Sequence, residues 1–116
     1  MNRPSLASDG TRSLQPGAST VDRKTSKRRP ALVLSCRQFQ QDTGHLLLAM
    51  VTSARQSHWP LDWAIQEIEG TGLPQPCLVR FKLFTLDEQL ILGTLGALAT
   101  VDRQAVSERL QQLLPA

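Results

Sequence analysis

Five cations, Arg23, Lys24, Lys27, Arg28 and Arg29, fall within seven consecutive positions just before Pro30. Up to Pro30 the chain has seven basic residues against two acidic ones, a balance of +5. The remainder has six basic and eight acidic residues, a balance of −2, so the overall charge of +3 belongs to one end. Clustered cations suit a polyanion, either a nucleic acid or an acidic protein segment. The same run would also serve as a solvated basic tail. Among these groups a guanidinium matches phosphate best, because its planar fork meets two oxygens at once. Arg29 directly precedes Pro30, which confines it to extended backbone and narrows where its side chain can aim.

Other chemistry is sparse. His45 and His58 could move protons near neutral pH, but a surface or loop role describes both equally well and is preferred. Cys36 and Cys77 lack a CxxC spacing and a paired-histidine pattern, so they read as buried apolar fillers rather than a zinc site or disulfide. Neither a metal triad nor a carboxylate pair is visible, and no cofactor is expected.

The elements that must position these residues come from apolar patterning. With 116 residues, the chain fits one small domain. Residues 1–21 are rich in Ser, Gly, Pro, Thr and Asn without periodicity, and are expected to be disordered. Ala31 to Ser35 is a strand-length apolar run, and His45 to Thr52 is a second. Gln40 to Gly44 supplies turn chemistry between them, giving a hairpin with a longer connection. Ser53 to Pro60 should be a loop, Leu61 to Ile65 a short strand and Gly70 to Pro76 another loop. Cys77 to Leu83 alternates, which predicts a strand with Leu78, Arg80 and Lys82 on a wet face. Gln89 to Leu98 holds a strand interrupted by Gly93 and Gly96. Thr100 is placed to cap a helix whose apolar face carries Val101, Ala105, Val106, Leu110, Leu113 and Leu114. No run approaches the length of a membrane span, and the N-terminus lacks the apolar stretch of a secretory signal. A cytoplasmic protein is expected.

Several segments, in order, resemble the PemK/MazF toxins of type II toxin–antitoxin systems. Lys27-Arg28-Arg29-Pro30-Ala31-Leu32-Val33-Leu34-Ser35 is similar to the family's "(K/R)RPALV(L/I)S" strand. Ala49 to Ser53 resembles "A-x-(I/V)-T-S", and Trp59-Pro60 with Asp62 to Ile65 resembles "W-P-x-(D/E)-(V/W)-x-(I/L)". Gly72 to Pro76 matches a "GLPxPS" loop, with Cys77 where Ser is usual. Val79 to Asp87 resembles "VR(M/F)KLFTLD", and Leu95 to Leu98 resembles "(I/L)GxL".

The resemblance implies a mostly β fold with a C-terminal helix, a small SH3-like β-barrel spanning about residues 22–116. It implies a bacterial, metal-independent endoribonuclease cutting single-stranded RNA, usually a homodimer. The implied partners are a cognate antitoxin and, together with the antitoxin, operator DNA. By the same resemblance Arg29 and Thr52 are the catalytic residues. Lys24, Lys27, Arg28, Ser53 and Lys82 are candidate substrate-binding residues.

One departure stands out. Family members open with a strand of the "GD(I/V)-x-x-(V/A)-x-(F/L)" type, and none is legible before Asp22. Leu6, Leu14 and Val21 are the only large aliphatics there and they do not alternate. A missing strand would open an apolar face and leave ladder groups unpaired. The alternative expectation is therefore a degenerate or mis-started toxin, as a shifted upstream frame would produce, acting at most as an antitoxin- or nucleic-acid-binding module.

Overall fold

The computed structural model describes residues 14–24, 27–53 and 57–115. In chain order the strands are β1 (Ser19–Arg23), β2 (Arg29–Val33), β3 (His45–Thr52), β4 (Trp63–Ala64), β5 (Leu78–Asp87) and β6 (Ile91–Ala97). Helix α1 (Arg37–Thr43) joins β2 to β3, a 3-10 turn (Glu88–Leu90) joins β5 to β6, and helix α2 (Thr100–Leu113) ends the fold. The strands form one sheet in the order β4-β5-β3-β2-β1-β6, and every neighbouring pair is antiparallel.

Alternation along the strands sorts the apolar residues into two clusters. Leu32 on β2 and Ala49 and Val51 on β3 join Ile65, Leu73, Val79, Phe81 and Leu98, and Val106 of α2 packs onto them. Ala31 and Val33 on β2, with Leu46 and Leu48 on β3, join Leu14 and Val21, and Phe84, Leu86 and Ile91 border that second cluster. Because side chains alternate faces, the odd-numbered residues of β2 and the even-numbered residues of β3 share the second face. Arg29 and Thr52 belong to those two sets.

The expected barrel is an open sheet: among the described residues no ladder joins β4 to β6. A loop bridges the space instead. Ala97 N–H donates to Gly70 O at 2.9 Å, and the Thr20 hydroxyl donates to Thr71 O at 2.6 Å. The crossing is tight at two glycines. A Cβ on Gly96 would collide with the backbone of Gly70 and Thr71, and one on Gly72 with the backbone of Leu95. Gly72 also sits at φ +72°, where an L side chain is strained.

A strand precedes β2 where none was read. β1 pairs with β2 through Thr20↔Leu32, Val21↔Ala31, Asp22↔Pro30 and Arg23↔Arg29. On its other edge it pairs with β6, from Ser19↔Ala97 to Arg23↔Ile91, with two irregularities in the register. β1 escapes a search for large apolar residues because Val21 is its only one. Its other buried residues, Ser19 and Thr20, are polar and hydrogen-bonded. The β2 edge that a missing strand would leave open is thus paired. Of the segment expected to be disordered, residues 1–13 lie outside the described residues, while Leu14, Ala18 and Val21 are core.

Other expectations change in detail. The Gln40–Gly44 turn is the end of α1, a helix with no buried residue and therefore no apolar periodicity to read. The strand predicted over Leu61 to Ile65 shrinks to Trp63–Ala64. Thr100 is the first residue of α2 and Ala99 its N-cap, with no side-chain cap. The buried face of α2 is Asp102, Ala105 and Val106, whereas Val101, Leu113 and Leu114 are exposed. Cys36 is exposed and Cys77 only half-buried, so Cys36 is no core filler.

Candidate functional site

The sheet sets the candidate residues in a row. Arg29 on β2 lies opposite Arg23 on β1. On the other side β2 meets β3 through Ala31↔Met50, Leu32↔Ala49 and Val33↔Leu48. The ladder ends at Ala31↔Met50, and beyond it the alternation along each strand puts Arg29 and Thr52 on the same face. Thr52 in turn lies opposite Leu78 on β5. Arg29 is exposed and Thr52 half-buried at the mouth of the row.

Beside Thr52 the surface falls into a shallow cleft of about 300 Å³, lined by Thr52, Ser53, Ala64, Ile65, Cys77 and Leu78 with Pro76. The "GLPxPS"-like loop thus forms one wall of the cleft, and Cys77 stands within it. Ser53 belongs to this recess rather than to the arginine row.

The basic run is displayed at the other end of the row. Lys24, Lys27 and Arg28 are all exposed. Arg28 reaches across to Asp22, Nε to Oδ2 at 3.2 Å. That pair is exposed on the Arg28 side and adds little stability, and Asp22, opposite Pro30, faces away from the Arg23–Arg29 side of the sheet.

Arg80 and Lys82 are not the simple wet-face pair expected from alternation. Arg80 is buried at 8% exposure. Its Nε and Nη2 donate to the two oxygens of Asp62 at 3.1 and 2.9 Å. Its Nη1 donates to Ser57 Oγ at 3.1 Å and its Nη2 to Ser57 O at 3.0 Å. The Asp62 hydrogen bonds raise the guanidinium's pKa above the ordinary arginine value, outweighing desolvation, and the Asp62 charge adds to the effect. Arg80 therefore anchors the 57–62 segment to β5. Lys82 is exposed and lies over the ring of Trp59, 5.7 Å from its centre, in the same segment. Asp62 also accepts from Trp59 N–H at 3.1 Å. Leu61 between them holds a left-handed φ of 69°, a costly conformation for a branched side chain.

His45 starts β3, at the far end from Thr52, and its Nδ1 is 3.0 Å from Thr43 O. His58 is exposed beside the Arg80 anchor. Neither joins the row. Among the described residues no group of three His, Cys, Asp or Glu is disposed to hold a metal, and no helix is long and apolar enough to cross a membrane.

Arg23 enters the sequence reading only as charge, and the structure gives it a place. Its guanidinium lies 4.5 Å from the centre of the Phe84 ring. Only the β1–β2 register, which no apolar pattern reveals, brings it to Arg29.

Solved structures share this fold. The MazE-MazF complex (Form-I) from Deinococcus radiodurans is 23% identical, with a TM-score of 0.70, and the match covers 89% of this chain and 98% of that one. An endoribonuclease in complex with its cognate antitoxin from Mycobacterial species is 17% identical, with a TM-score of 0.70 and coverage of 86% and 93%. The Mycobacterium tuberculosis toxin MazF-mt6 is 18% identical, with a TM-score of 0.66 and coverage of 84% and 96%. No curated protein sequence matches the chain. A family model for the PemK-like, MazF-like toxins matches residues 13–114, a span that takes in all of β1. With that match over nearly its whole length, the chain belongs to the PemK-like, MazF-like toxin family of type II toxin–antitoxin systems.

Proposed function

We propose that this toxin is a cytoplasmic endoribonuclease that cleaves single-stranded RNA at the Arg29–Thr52 row. The observation that carries the reading is the β2–β3 register, which brings those two family-pattern residues to one face. Cleavage requires a ribose 2′-oxygen to bond to the adjacent phosphorus as the bond from phosphorus to the 5′-oxygen breaks. The 2′-hydroxyl loses its proton and the departing 5′-oxygen gains one. Negative charge grows on the non-bridging oxygens meanwhile, and donors already aimed at them lower the barrier. Arg29 supplies the fork, and the Thr52 hydroxyl supplies a second donor. Lys24, Lys27 and Arg28 hold neighbouring phosphates without reading sequence. Ser53 and the cleft beside it receive a nucleotide next to the cut, and Lys82 steadies the strand near Trp59.

The partner is an antitoxin whose acidic or apolar segment occupies the same surface, as expected of a family whose structural neighbours include toxin–antitoxin complexes. The toxin acts as a homodimer, and operator DNA is met in company with the antitoxin. The test is cleavage of single-stranded RNA by purified protein in the presence of a chelator. Arg29→Ala should lower the rate by about 10²–10³-fold, the scale of removing one preorganised donor. Induced expression should arrest bacterial growth with the wild-type chain and spare it with the variant. Equal cleavage by the folded variant and the wild type would remove Arg29 from the mechanism.

A further inference from the structure

Two arginines on adjacent strands, facing each other, form an arrangement that the fold alone does not favour. Like charges directly opposite across a ladder repel, yet Arg23 and Arg29 are register partners. The acid nearest along the strand, Asp22, points to the other face and pairs with Arg28. Arg23 is partly buried, and its Nε is a buried donor with no hydrogen-bond partner. Desolvation by burial chiefly, and the Arg29 charge next, hold its pKa below the ordinary arginine value. The ring of Phe84 supports the flat side of the guanidinium at 4.5 Å, which fixes its plane. A charge held this way against a like neighbour is stabilised when an anion arrives between them.

We propose that Arg23 is a second phosphate-binding residue, which together with Arg29 grips one phosphate of a single-stranded RNA backbone. The proposal rests on the nuclease reading above and adds a ligand to it. A phosphate chain fits better than a lone carboxylate, because exposed cations continue past the pair at Lys24, Lys27 and Arg28. Arg23 and Arg29 then share the phosphate that reacts, and loss of Arg23 weakens the grip on substrate.

The test uses the full chain and a single-stranded RNA with methylated 2′-oxygens, which binds without being cut. Affinity is followed across a salt series, with polyglutamate as a second probe and thermal melting as a check on folding. Arg23→Ala should bind the RNA about tenfold more weakly. It should also flatten the log–log salt slope by about 0.7, as expected when one fewer phosphate is neutralised. Arg23→Lys should keep the wild-type slope but recover only part of the affinity, because a point charge replaces a fork. If Arg29→Ala weakens RNA binding while both Arg23 variants match wild type, the Arg23 proposal fails and the nuclease reading stands. If wild-type protein binds no RNA at any salt, both fail. If Arg23→Ala loses polyglutamate and keeps RNA, the pair serves an acidic partner, and the proposal is overturned. Should Arg23→Ala unfold, the lysine variant decides: full affinity for RNA counts against the fork.

Discussion

At the scale of single residues, the proposed site sets side chains that would act beside side chains that hold. Thr52 ends β3 with its hydroxyl on the arginine face, and Leu78 lies beside it. Thr52→Val keeps the branched shape and removes the donor. Cleavage should fall about 10²-fold with little change in melting temperature, and single-turnover rates beside a melting curve would check both. Arg80 belongs to the holding class. Four hydrogen bonds from its guanidinium tie Asp62 and Ser57 to β5. Arg80→Ala should free the 57–62 segment, raising amide exchange at Trp59 and Asp62 while β1 and β2 stay protected. Equal protection of that segment in variant and wild type would show that the anchor is not what holds it.

At the scale of elements, α2 is fastened by a buried acid. Asp102 Oδ1 accepts the Trp63 indole N–H at 2.8 Å and Gln66 N–H at 2.8 Å, and its Oδ2 accepts Glu67 N–H at 3.0 Å. The Arg109 guanidinium stacks on the other side of the link, 4.4 Å from the Trp63 ring centre. Asp102→Ala would strand three donors, and chemical denaturation should report a loss of about 3 kcal/mol. This link explains part of what the sequence conceals. A helical face read by its aliphatics places Val101 inward and passes over Asp102, because periodicity cannot tell a satisfied buried acid from a solvated one. Arg80 eludes the pattern for the same reason, since strict alternation puts a buried ion pair in water. β2, β3 and β5 are legible from their apolar runs. So is the common face of Arg29 and Thr52, once the β2–β3 register follows from those runs. β1 is not, since a strand buried through Ser19 and Thr20 leaves no hydrophobic trace. Nor is α1, which buries nothing.

At the scale of the molecule, the open sheet depends on the loop that crosses β6. Gly96 passes beneath Gly70 and Thr71 with no room for a side chain. Gly96→Val should push the loop off, breaking the Ala97–Gly70 hydrogen bond and unseating Thr71 from Thr20. The loss should exceed about 2 kcal/mol and show in denaturation midpoints. A variant as stable as wild type would mean that the loop can lift without cost to the sheet.

The position of β1 also has a temporal consequence. Its outer partner is β6, with Ser19 against Ala97 and Arg23 against Ile91. Contacts so distant along the chain form late, because a long loop must close before they bring any gain. A chain leaving the ribosome carries its arginines first and the strand that seats them nearly last. The Arg23–Arg29 row is thus unbraced by β6 while the nascent chain is still held among the ribosome's own RNA.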